Sequence, residues 1–140
     1  MKDKDSLEAR PAVGQPVLSA THVTKQFRVA GGHITAVDDV SVDFHAGKVL
    51  AVVGESGSGK STLARMLLRL MPVTSGTISY QGRDVTHIKG AELRTYWRDV
   101  QAVFQDPFSS FNQFYTVGQT LRRGMGAQGL EKETLEQLIE

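Results

Sequence analysis

An α/β fold is predicted for this chain, and three features carry that expectation. Val49-Leu50-Ala51-Val52-Val53 is a continuous apolar run of strand length. It leads directly into a glycine-rich segment at 54–59. Beyond that, Leu63, Met66, Leu67 and Leu70 recur at i, i+3, i+4 and i+7, the spacing of an amphipathic helix.

Each element follows in order. Residues 1–16 are polar, aperiodic and interrupted by Pro11, Gly14 and Pro16, so they read as a flexible leader. Residues 17–48 read as an antiparallel β segment. Val17, Val23 and Phe27 come first, Gly31-Gly32 makes a turn, and Ile34, Val37, Val40, Val42 and Phe44 follow. Strict alternation over the last three predicts a half-buried strand. The run at 49–53 has no polar alternate, which predicts a strand buried on both faces, as in a parallel sheet. Pro72 is expected to close the helix after the glycine loop. Residues 77–80, bracketed by Ser75-Gly76 and Gln81-Gly82, read as a strand in a hairpin. Leu93, Tyr96, Trp97 and Val100 have helical spacing and predict a packed helix face. A short strand is expected at 100–104, a loop at 109–114 and a helix at 117–125. Leu135, Leu138 and Ile139 begin another helical pattern, where the sequence stops without a capping residue. A chain ending there is expected to be incomplete.

Composition narrows the function. With 140 residues, 40% hydrophobic and 22% charged, the chain suits one globular domain with its own core. A net charge of +1 argues against a nucleic-acid binder that works by broad phosphate neutralisation. The absence of cysteine excludes disulfides and thiolate metal sites. His22, His33, His45 and His87 lack ligand spacing and read as surface or loop residues. Arg122-Arg123 reads as a solvated face or a contact for partner chains. No apolar run has transmembrane length, and no secretory signal opens the sequence.

Chemistry concentrates in the glycine loop. Gly54-Glu55-Ser56-Gly57-Ser58-Gly59-Lys60-Ser61 fits G-x-x-x-x-G-K-[ST], the phosphate-binding loop, between the predicted strand and helix. Glycines let the backbone turn tightly and bring its N–H groups against phosphate oxygens. The helix N-terminus adds a partial positive charge at the same place. Lys60 supplies an ammonium for the terminal phosphates, and the Ser61 hydroxyl is a hard oxygen ligand suited to Mg²⁺. Thr62 is placed to hydrogen-bond an inner phosphate. The bland alternative is a glycine-rich turn with a fortuitous lysine.

The segment 54–62, taken with Val103-Phe104-Gln105-Asp106-Pro107, resembles the ATP-binding subunits of ABC transporters. More narrowly, Phe104-Gln105-Asp106-Pro107-Phe108-Ser109-Ser110-Phe111-Asn112 is similar to the branch that drives dipeptide, oligopeptide and nickel uptake. Phe111 stands where that branch usually has leucine, and Gln113 where it usually has proline. Relatives that import oligosaccharides share this region. The resemblance covers nearly all of 17–140 and implies a P-loop core at 49–105 with a partly present parallel sheet. The start of a helical subdomain would occupy 106–140.

The resemblance also implies roles. Gln105 matches the glutamine that joins core to helical subdomain and reaches Mg²⁺ or the attacking water; the alternative is a solvated turn residue. Phe27 falls where the family carries an adenine-stacking aromatic; the alternative is a core residue of the first β segment. Catalysis would then involve Lys60 and Gln105, nucleotide binding 54–62 and Phe27, and metal binding Ser61 and Gln105. ATP and Mg²⁺ are the implied cofactors. The implied partners are a second ATP-binding subunit in a head-to-tail dimer, membrane permeases and, indirectly, an extracytoplasmic solute-binding protein. The place of work would be the cytoplasmic face of a membrane, and the task uptake of di- or oligopeptides driven by ATP hydrolysis. The family's Asp-Glu strand, its Leu-Ser-Gly-Gly-Gln segment and its later histidine do not occur within the 140 residues. The chain alone is therefore expected to bind ATP without turnover. Two other classes stay open: a soluble ABC-type ATPase or occupancy-sensing module, and a non-transport P-loop kinase.

Overall fold

The computed structural model describes residues 14–105 and 114–128, which fall into two compact units, Met1–Ile88 and Lys89–Glu140. The expectations for 1–13, for Asp106 to Gln113 and for the helix beginning near Leu135 lie outside the described residues.

In the first unit, β1 (Leu18–Val29) and β2 (Gly32–Phe44) form a long antiparallel hairpin. Ala30-Gly31 closes it as a two-residue loop, with Gly31 at a φ of 94°. The glycine pair therefore marks the turn where the sequence predicted one. After α1 (Lys60–Leu67), β3 (Ser75–Tyr80) returns to pair with β1, and β4 (Arg83–Asp84) pairs with β3. The sheet order is β2-β1-β3-β4, antiparallel throughout. Ala20, Val23, Val37, Ile78, Tyr80 and Val85 are buried from the sheet, and Leu63, Met66 and Leu67 from α1. Each large apolar side chain so buried contributes about 1.5–3 kcal/mol.

The hairpin is kinked by register shifts. β1 carries one extra residue between Ala20 and Val23, and β2 one between Val40 and Val37. His22 and Asp39 mark these places with left-handed φ angles of 50° and 49°. The two kinks are tied together. His22 Nδ1 lies 2.7 Å from Asp39 Oδ1, the His22 N–H donates to Ser41 Oγ, and the Asp39 N–H donates to Thr24 Oγ1. A second shift on β2, between Gln26↔Thr35 and Lys25↔Val37, leaves Ala36 without a residue opposite it. Such bulges bend a strand and re-aim its side chains.

Thr86 anchors the far edge of the sheet. Its buried hydroxyl accepts the Ile78 N–H at 2.8 Å. The Thr86 hydroxyl and its N–H, the latter at 2.7 Å, also hold the Asp84 carboxyl below its ordinary pKa, and His87 and Arg69 add to this. Because the folded value is the lower one, this contribution to stability is present above the ordinary carboxylate pKa. It is lost as pH falls through the lowered value.

The helix after the loop ends earlier than Pro72. Leu68 is the C-cap, Arg69 is left-handed with a φ of 56°, and the N–H groups of Arg69 and Leu70 reach the carbonyls of Met66 and Arg65. These two bonds make a Schellman motif, with arginine where glycine is usual.

The expected buried strand at 49–53 is corrected by the structure. These residues belong to no strand, and Val49 and Val53 are 100% and 87% exposed. The expected strand at 100–104 is likewise not formed. The parallel part of the sheet is therefore absent among the described residues. A parallel strand takes its hydrogen bonds from neighbours on both sides, and no described segment supplies them.

In the second unit, α2 (Gly90–Asp99) buries Tyr96, while Trp97 on the next position is exposed. The packed face is therefore narrower than the pattern predicts. α3 (Val117–Gln128) confirms the helix expected at 117–125. Thr116 starts it through a capping box: the Gln119 N–H donates to Thr116 Oγ1 and the Thr116 N–H to Gln119 Oε1. None of the described helices is long and apolar enough to cross a membrane.

Candidate functional site

The loop at 54–59 and the first turn of α1 enclose a cleft of about 140 Å³, lined by Ala36 and residues 57–62. Gly59 is the N-cap of α1, left-handed at φ 89°, and no side chain caps the helix. Its carbonyl accepts the Leu63 N–H at 2.8 Å, closing the first turn. A Cβ on Gly59 would stand 2.2 Å from the Ala36 carbonyl oxygen. Both φ and space therefore require glycine here, and its absence of a side chain lets α1 begin against β2.

Lys60 Nζ donates to the Gly54 carbonyl at 2.8 Å, the Glu55 carbonyl at 2.5 Å and Ser58 Oγ at 3.3 Å. The Ser58 N–H returns to the Glu55 carbonyl at 3.2 Å. The loop is thus wrapped around its own ammonium group, which sits half-buried at its centre. Ser61 is exposed and Thr62 half-buried on the first turn beside it. Gly54, Glu55 and Ser56 are exposed and outside the cleft lining. The cleft therefore combines one fixed cation, a helix N-terminus and three hydroxyls, those of Ser58, Ser61 and Thr62, and no carboxylate lines it among the described residues. That set suits a phosphate chain.

Phe27 lies in the same unit, on β1 opposite Ile34, and is 37% exposed. Lys25 Nζ sits 5.4 Å from its ring centroid and donates to the Pro72 carbonyl. The ring is not a fully buried core residue. Gln105 belongs to the second unit and is exposed at the end of the described stretch that follows α2. Ala36 lines the cleft from outside the contiguous 54–62 segment, and the sequence reading missed it. The signal that finds it is the close approach of Gly59, which only the folded backbone reveals.

The family model described as ABC transporter matches residues 37–140. The chain belongs to the ABC transporter family. It is 39% identical over 115 residues to a putative peptide import ATP-binding protein of Brucella ovis, covering 82% of this chain and 36% of that protein. It is 42% identical over 103 residues to the dipeptide transport ATP-binding protein DppF of Lactococcus lactis subsp. cremoris, covering 72% of this chain and 33% of that one. The chain thus spans about a third of the length of these curated ABC relatives. A bacterial ABC transporter cassette solved as a dimer has a TM-score of 0.70 at 20% identity, over 86% of this chain and 53% of that one. At that identity the likeness speaks for the ABC ATPase fold.

Proposed function

We propose that this chain supplies the phosphate-binding part of an ABC ATPase that powers uptake of di- or oligopeptides. The observation that carries the reading is the 54–61 loop wrapped around Lys60 at the start of α1. Lys60 holds the terminal phosphates, the backbone of 54–59 and the α1 N-terminus receive their oxygens, and Thr62 binds an inner phosphate. Phe27 stacks on adenine. The residues present fit Mg²⁺: the Ser61 hydroxyl is a hard oxygen donor in a cleft made for phosphate, and Mg²⁺ binds through few protein ligands plus phosphate oxygens. Gln105 is assigned as the second protein oxygen. When bound, the ion neutralises charge on the β- and γ-phosphates.

No group of three His, Asp or Glu among the described residues could hold a metal ion, and no carboxylate lines the cleft. The family's Asp-Glu segment does not occur within the 140 residues, and the chain by itself is proposed to bind ATP without turnover. Hydrolysis, the head-to-tail dimer and the permeases belong to the assembled transporter at the cytoplasmic face of its membrane. The names of the relatives support peptides as the solute.

Two measurements test this reading. Phe27→Ala is expected to weaken ATP several-fold, consistent with about 0.5–1.5 kcal/mol for an aromatic pair, and to leave inorganic tripolyphosphate unaffected. Equal weakening of both would make Phe27 structural. Disrupting the gene is expected to abolish uptake of a labelled dipeptide and to spare uptake of an oligosaccharide. The reverse pattern would move the solute class.

A further inference from the structure

Two places in the first unit are assigned to opposite ends of a nucleotide, the cleft to phosphates and Phe27 to the base. Between them runs a short piece of β2. Ile34 stands opposite Phe27, and Ala36, two residues on, lines the cleft. At about 3.3 Å per residue, that piece of strand spans roughly 6–7 Å, about the width of a sugar ring. What lies on it must therefore be the part of the ligand joining base to phosphates.

Ala36 is not an ordinary strand residue. It is the extra residue of a bulge, without a residue opposite it on β1. Its backbone is also pinned. The place where a Cβ of Gly59 would be is 2.2 Å from the Ala36 carbonyl oxygen and 3.3 Å from Val37 Cγ2. Gly59 in turn is fixed as the left-handed N-cap of α1. With the strand backbone seated against the loop, position 36 cannot retreat when its side chain grows. Because Ala36 lines the cleft, a larger side chain there takes up space at its mouth.

We propose that Ala36 is a specificity-determining residue, whose single methyl group leaves room for the sugar of a nucleoside triphosphate between Phe27 and the phosphate cradle. The inference rests on the nucleotide reading of the site. It extends that reading by giving a residue outside the motif control over what can bridge the two ends. Bare polyphosphate occupies only the cradle and needs none of the room toward Phe27, so it depends on this residue less than ATP does.

The test titrates the protein with Mg-ATP and with Mg-tripolyphosphate, using wild type, Ala36→Ser and Ala36→Leu, with circular dichroism as the folding control. Ala36→Leu is expected to lower ATP affinity on the order of tenfold, the scale of overpacking by a few methyl groups, and to keep tripolyphosphate binding. Ala36→Ser is expected to match wild type for both. Equal loss of ATP and tripolyphosphate in Ala36→Leu overturns the inference, because the residue then supports the loop and not the sugar. Unchanged ATP affinity overturns it as well. Should Ala36→Leu not fold, Ala36→Val gives the same comparison, and failure of both to fold would make the residue structural and sink the idea. If wild type binds tripolyphosphate but variants fail to discriminate, this inference alone is lost. If wild type binds neither compound, the nucleotide reading is lost with it.

Discussion

Lys60→Ala is expected to cut ATP affinity by about ten- to a hundredfold, since a charge-assisted hydrogen bond contributes about 1.5–3 kcal/mol. The structure gives two reasons for placing this among the largest effects. Among the described residues Lys60 is the only cation lining the cleft, so its loss removes the charge that faces the terminal phosphates. Its ammonium also binds the Gly54 and Glu55 carbonyls and Ser58 Oγ, so its loss unties the loop. An untied loop must be ordered again when phosphate arrives, and that entropy cost subtracts from affinity. Stability should change little, because the side chain is half-exposed and its hydrogen bonds go to atoms of the loop itself. A fluorescent ATP analogue titrated against both proteins, with circular dichroism beside it, measures the difference. Equal affinities in two folded proteins would refute the assignment of the loop.

Gly76→Ala is expected to be the most destabilising small substitution in the first unit. A Cβ there would lie 2.2 Å from the His22 carbonyl oxygen and 2.6 Å from Val23 Cα, both backbone atoms of β1. Backbone in a paired strand cannot step aside as a flexible side chain can. A left-handed alanine costs about 1–2 kcal/mol, and displacing packed neighbours costs about 1–3 kcal/mol more. With about 4–8 °C of Tm per kcal/mol in a domain of this size, the unfolding midpoint should drop by roughly 10–40 °C. Gly82→Ala is the control. Gly82 is also left-handed, at φ 77°, but nothing lies within 4 Å of its Cβ position. It should lose only the backbone part. Identical midpoints for the two variants in thermal circular dichroism would show that the close approach to His22 has no energetic weight.

What could be read from the sequence divides along a physical line. The Gly31-Gly32 turn, the alternation of Val40, Val42 and Phe44, and the Leu63-Met66-Leu67 face are local patterns, and each appears in the fold. The phosphate loop is also local, since its glycines, Lys60 and helix start are contiguous. The run at 49–53 was misread because an apolar strand is a statement about neighbours. Its sequence supplies the preference, and only other strands supply the pairing. Ala36 was invisible for the opposite reason. An alanine between Thr35 and Val37 carries no signal of its own. It gains a role only when a bulge and the bare Cα of Gly59 meet beside the loop. The Thr116–Gln119 capping box is legible as a threonine followed three residues later by a glutamine, a local pattern that marks the helix start independently of apolar spacing.

The twin kinks of the long hairpin bear on how the chain finds its alignment. β1 offers Thr21, Val23 and Thr24 in succession, and β2 offers Thr35, Val37, Val40 and Val42, so many misaligned ladders would satisfy the same strand preferences. The left-handed residues remove that degeneracy. One step out of register would bring Thr21 or Val23 to the left-handed place opposite Gly76, where a β-branched side chain is strained. The same step would part His22 from Asp39. The hairpin therefore works like a key with two notches. Only the native alignment puts His22 and Asp39 at both left-handed places and within reach of each other, so misaligned pairings forgo both.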